Sequence, residues 1–130
     1  MSKFKIAFFL LAGIITMSFT SDPIWDAVSR AFKDGNADAI SSYMDSSVDL
    51  NILGDESTLA KAQVIQSLKN FFVKNRPKAF TQIHQGTSKG KESCYYIGEL
   101  DSTGGKYRVY IYFKAVGSGQ LIKELRIDKL

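Results

Sequence analysis

At 130 residues, 45% of them hydrophobic and 23% charged, the chain is long enough for one packed core and too apolar to be disordered. Its charge of +4 is spread over interspersed Lys, Arg, Asp and Glu, which excludes the one-signed footprint of a nucleic-acid binder, and no nucleic-acid partner is expected. A single cysteine, Cys94, excludes an intramolecular disulfide, so burial alone must stabilise the fold.

The first stretch reads as an address. Lys3 and Lys5 precede an apolar run from Ile6 to Phe19, and small or polar residues follow. That order is a secretory signal peptide, too short and too poorly flanked for a spanning helix. The expectation is a signal peptide over 1–20, cleaved between about Phe19 and Asp22, and one domain over 21–130. The mature protein is then secreted or periplasmic, with no membrane attachment after cleavage. Cleavage would remove two lysines and no acid, taking the charge from +4 to +2.

Asp22 and Pro23 suit the cap and first position of a helix, in which Ile24, Val28 and Phe32 recur every four residues. Gly35 supplies a left-handed stop, and Asn36 caps a short second helix over 37–43 that offers Ile40, Tyr43 and Met44 to the core. Val48, Leu50 and Ile52 alternate with Asp49 and Asn51 as a half-buried strand, which turns at Gly54-Asp55-Glu56 and returns along 57–59. A long helix over 61–74 gathers Val64, Ile65, Leu68, Phe71 and Phe72 on one face and Lys61, Gln66, Lys69 and Asn70 on the other. Asn75 in a left-handed conformation and Pro77 end it.

Four runs rich in Tyr, Phe, Ile and Val then predict strands over 79–88, 93–100, 106–116 and 120–128. An even-length connection at Gly104-Gly105, with the glycines at positive φ, puts Cys94, Tyr96, Gly98 and Leu100 on one face with Val109, Ile111 and Phe113. A three-residue loop over 117–119 sets Ile111 opposite Leu125 and Val109 opposite Ile127. The opposite face then holds Arg108 near Asp128 and Asp101, Tyr110 near Arg126, and Tyr112 near Glu124 and Ile97. Helix, helix, strand pair, long helix and meander make an α+β fold with the helices packed on a strongly curved antiparallel sheet, a cone-shaped barrel.

The runs Phe71-Phe72-x-Lys74-Asn75-x-Pro77, His84-x-Gly86, Tyr96-Ile97-Gly98-x-Leu100, Arg108-Val109-Tyr110 and Leu125-Arg126-Ile127-Asp128 span the expected mature chain. In them the chain resembles an uncharacterised family of small secreted Bacteroidetes proteins, itself similar to the nuclear-transport-factor-two-like superfamily with its cystatin-like cone. The resemblance implies a pocket between sheet and helices, and in some relatives pairing through the outer sheet face. Ala60 departs from the pattern, which leads one to expect a capping Ser before the long helix, at a cost of about 1 kcal/mol.

Superfamily relatives that are isomerases or dehydratases place an acid–base group and a Tyr inside the cone. The only histidine is His84, and its companions for such work are Tyr96 and Tyr43. Against it stands the ordinary reading of a structural histidine. Asp38 and Asp49, the acids with plausible inward placement, lie in no apolar run that would keep them neutral. One His, one Cys and no acidic cluster at ligand spacing imply no metal and no cofactor. Arg108, Tyr110, Tyr112 and Arg126 carry the residue types enriched at interface hot spots. The favoured function is a non-enzymatic binding or assembly module, taking an apolar small molecule in the cone pocket or a protein partner, a second copy included, on the outer sheet face. The alternative is a cofactor-free isomerase or lyase with His84 as acid/base and a Tyr as donor.

Overall fold

A computed structural model describes residues 23–88 and 92–130; the expected leader and the Asp22 cap lie outside them. Helix α1 (Pro23–Asp34) buries Trp25, Val28, Ala31 and Phe32 and stops where Gly35 takes φ 66°. Helix α2 (Ala37–Ser41) begins at Asn36, whose Oδ1 accepts from the Ala39 N–H at 3.0 Å. It ends two residues before the pattern predicts because the chain already joins the sheet: the Ile122 N–H donates to the Tyr43 carbonyl at 2.7 Å.

The sheet has six strands, β1 (Met44–Ile52), β2 (Asp55–Ala60), β3 (Pro77–Thr87), β4 (Ser93–Ser102), β5 (Gly105–Val116) and β6 (Gly119–Lys129), in the order β2-β1-β6-β5-β4-β3. Every pairing is antiparallel except β1 with β6, two strands that no hairpin joins. Helix α3 (Lys61–Lys74) lies between β2 and β3 in the chain and buries Val64, Leu68, Phe71 and Phe72, the face its periodicity predicts. At its start no side chain caps from Ala60; Gln63 Oε1 accepts from the Ala60 N–H at 3.3 Å instead.

Several details differ from the expectation, each for a local reason. The β1–β2 turn is Leu53-Gly54, closed by Ile52 opposite Asp55, because a two-residue turn with positive φ at both positions follows the strand twist. Between β4 and β5 the even-length turn is Thr103-Gly104, and only Gly105 of the glycine pair has positive φ, at 124°. Gly104 is required by space: a Cβ there would lie 1.9 Å from Asn75 Oδ1. Ile111 stands opposite Leu125 and Val109 opposite Ile127 as expected, but through a two-residue Gly117-Ser118 turn plus one extra residue, Lys123. Such bulges bend and twist a strand, and β3 carries them too, at Lys78 and Ile83.

Asn75 is also not left-handed, with φ −133° and ψ 77°. It ends α3 by hydrogen bonding: its Nδ2 donates to the Phe71 carbonyl at 3.0 Å, and its Oδ1 accepts from the Tyr107 hydroxyl at 2.8 Å. Beside it, Arg76 and Thr103 exchange two bonds of 3.0 Å, so the end of α3 is tied to the β4–β5 turn.

The core fills the hollow of the sheet. Trp25 stacks on Tyr96 at 4.3 Å, Phe80 stacks on Phe32 at 5.1 Å, and Tyr96 meets Phe113 edge-on at 5.7 Å. The Phe80 ring lies so close over Gly98 that a Cβ there would come within 2.3 Å of it. Each fully buried side chain of this size contributes about 1.5–3 kcal/mol by leaving water.

Candidate functional site

The outer face of the sheet is built by strand alternation, since every residue between two core residues must point away from them. On β4 these are Tyr95, Ile97 and Glu99, on β5 Arg108, Tyr110 and Tyr112, and on β6 Glu124, Arg126 and Asp128. The register lays them in rows. Glu124, Tyr112 and Tyr95 form one row, Arg126, Tyr110 and Ile97 the next, and Asp128, Arg108 and Glu99 the third. The direct β4 neighbours therefore differ from expectation: Glu99 rather than Asp101 stands beside Arg108, and Tyr95 rather than Ile97 beside Tyr112.

Tyr95 is the residue the sequence reading passed over, although its position between Cys94 and Tyr96 assigns it to this face. It is central. Its ring stacks on Tyr110 at 5.7 Å and lies 5.8 Å from His84. On its other side it covers Gly86, where a Cβ would meet the ring at 2.4 Å. Tyr95, Ile97, Tyr110 and Tyr112 are all half-buried, and among the described residues no helix packs above them.

The electrostatics of the patch are mild. Burial first, then the charge of Glu124 and the neighbouring Tyr112 and Tyr95, hold the Tyr110 hydroxyl above the usual tyrosine pKa of 10.0. Tyr110 is therefore a neutral O–H donor at physiological pH. Arg126 donates from Nε to Asp128 Oδ2 at 2.9 Å, a pair two residues apart on one strand and about half exposed. Exposed pairs of this kind contribute at most about 1 kcal/mol.

The structure does not bring together His84, Tyr96 and Tyr43, the residues of the alternative acid–base reading. His84 is exposed on the outer face, opposite Ile97, whereas Tyr96 is 6% exposed and stacked on Trp25 within the core. The cause is the single extra residue Ile83. Without it the pairing of Gln82 with Gly98 would continue to His84 with Tyr96; with it His84 moves to the other side of the sheet. Tyr43 packs on the core at the α2–β1 junction, half-buried.

Likewise the hollow under the central strands, where an apolar ligand was expected, is filled by aromatic rings. A cleft of about 330 Å³ lies instead at the margin, between the β1–β2 hairpin and α3, with Leu50, Ile52, Leu59 and Phe71 among its lining. Cys94 is buried, its Sγ 3.4 Å from Gln120 Oε1. Among the described residues no helix is long and apolar enough to cross a membrane.

Comparison with known proteins agrees with this architecture. Residues 25–128 match the profile of a domain of unknown function, DUF4783. The chain is 36% identical to a DUF4783 family protein from Bacteroides ovatus ATCC 8483, with 80% of this chain and 93% of that one aligned at a TM-score of 0.76. At the level of fold alone it is similar to an NTF-2 like protein of unknown function from Silicibacter pomeroyi DSS-3, at 9% identity, TM-score 0.61, and 82% and 90% of the two chains. The same holds for a domain of unknown function with a cystatin-like fold from Nostoc punctiforme, at 8% identity, TM-score 0.65, and 82% and 73% of the two chains. No curated protein matches.

Proposed function

The chain belongs to the DUF4783 family, and from that premise we propose that it is a non-enzymatic assembly module that pairs with a second copy of itself through the outer face of its sheet. The observation that carries this is the continuous patch of Tyr95, Ile97, Tyr110 and Tyr112 on two neighbouring strands, half-buried with no helix above it among the described residues. Aromatic side chains with a polar tip and few rotatable bonds are what an interface centre uses. Around them Arg108 and Arg126 alternate with Glu99, Glu124 and Asp128. A face that carries both signs in alternation suits a partner carrying the same pattern, as in a two-fold pair, better than a partner of one sign. Six strands about 4.8 Å apart, five of them of nine to twelve residues and β2 of six, present a face of roughly 800 Å². A standard interface draws about that area from each partner.

Light scattering across a concentration series tests the reading. The wild type is expected to double its mass with concentration, and Tyr110→Asp to stay monomeric while keeping its circular dichroism. A wild type that remains monomeric at about 0.5 mM overturns it. Export is a companion proposal, supported by the order of basic, apolar and polar residues over 1–20. Sequencing the N-terminus of secreted or periplasmic material checks it, and Met1 retained there would refute cleavage.

A further inference from the structure

The turn between β1 and β2 holds an unexpected residue. Two-residue turns with positive φ at both positions take Asn, Asp or Gly, yet the first position here is Leu53, at φ 54°. Leu53 is 52% exposed, so in the free protein little burial offsets the strain. Leu53 sits on the lip of the marginal cleft of about 330 Å³, a volume at the lower end of small-molecule sites, roughly 300–1,000 Å³.

The walls of that cleft differ in chemistry. Ile52 and Leu59 from the hairpin and Phe71 from α3 give it an apolar floor. Ser67, Asn70 and Lys74 line it from one stripe of α3, at spacings of three and four. Asn70 Oδ1 accepts from Gln66 Nε2 at 3.1 Å, and both amide N–H groups of Asn70 can still donate. Among the described residues Lys74 is in no ion pair. The helix wall is thus a row of donors, hydroxyl, amide and ammonium. Asp55 is the one carboxylate in the lining, on the hairpin side.

We propose that this cleft binds a small amphiphilic monocarboxylate. Its apolar chain lies on Ile52, Leu59 and Phe71 under the Leu53 lip, and its carboxylate is held by Lys74 and Asn70. Burial of Leu53 against the chain supplies the compensation that the strained turn lacks when empty. Asp55 sets the charge limit: it repels the second charge of a dicarboxylate or a phosphate monoester. The site is on the helix side of the sheet, so it stands or falls independently of the outer-face pairing.

Titration of the methyl-labelled protein with octanoate, and separately with octan-1-ol, tests this by NMR. Octanoate is expected to shift the methyls of Ile52, Leu53 and Leu59 saturably. Octan-1-ol, and octanoate with Lys74→Ala, should bind roughly tenfold more weakly, the loss of one charge-assisted hydrogen bond. Leu53→Asn should raise the thermal midpoint, because Asn tolerates the turn, and weaken octanoate binding. Octanoate that leaves these methyls unmoved, that binds no better than octan-1-ol, or that binds Leu53→Asn as well as wild type, overturns the proposal.

Discussion

The two faces of this sheet are made by the same strands and have opposite characters. The inner face is closed: Tyr96, Val109, Ile111, Phe113, Leu125 and Ile127 are buried beneath α1 and α3, and rings from four elements interlock over them. The outer face has equally large side chains, but its tyrosines lie on one another and on exposed His84. The inner face stores stability, and its side chains can change little without loss. The outer face stores little, which leaves it free to answer to a partner. Fold stability and surface use are thereby separated onto alternate residues of one strand.

The largest test of this contrast is Phe72→Ala. Phe72 is 6% exposed and edge-on to Phe32 at 5.9 Å, so its truncation should cost about 3–5 kcal/mol in denaturant unfolding. Lys69→Ala, on the outward side of α3 with an exposed 3.3 Å ion pair to Asp38, should cost less than about 1 kcal/mol. Next comes Asn75→Ala, expected to cost about 1–3 kcal/mol because the buried Tyr107 hydroxyl loses its 2.8 Å acceptor. Tyr110→Ala should cost under about 1 kcal/mol in the monomer while shifting the mass seen by light scattering. A loss as large as that of Phe72 would show that the two faces are not separate in energy.

A smaller effect should depend on pH. The hydrogen bond from Lys123, at 3.0 Å, is the first cause holding the Asp45 carboxyl below its ordinary value of 3.8. A carboxyl with a lowered folded pKa stabilises the fold above its unfolded pKa, and that stabilisation is lost as pH falls through the folded value. The thermal midpoints of wild type and Asp45→Asn should therefore differ at pH 7 and converge between about pH 4 and pH 2. A gap that persists at the acid end would assign the effect to geometry instead of charge. The smallest expected change is at Arg126. Lys there cannot keep the Nε–H bond to Asp128, so Arg126→Lys should resemble Arg126→Ala in thermal stability and mass, both within about 1 kcal/mol of wild type.

What the sequence makes legible follows from the range of the interaction. The α3 face is readable because four residues at helical spacing encode it, and the inner sheet face because alternation does. Bulges are not readable, since one inserted residue changes no composition and yet moves His84 to the other side of the sheet. Asn75 shows a second kind of failure. Its local context suggests a left-handed cap, while its actual role is set by Tyr107, thirty-two residues further along. Leu53 shows a third: nothing in its apolar identity marks it for a turn, and the preceding Ile52 and following Gly54 point the turn one residue later.

The single parallel pairing bears on how the domain reaches this state. β1 is held on one side by β2 and on the other by β6, so residues 44–52 cannot complete their hydrogen bonding until residues 122–127 arrive. Before that, the sheet is two fragments, the β1–β2 hairpin and the β3–β4–β5 meander, each with an open edge. Contacts of such long sequence separation pay their loop entropy late and slow folding. The last strand is therefore the keystone of the domain. A chain lacking most of β6 would still lack a native sheet, so the domain commits to its fold only once that strand has joined β1 to β5.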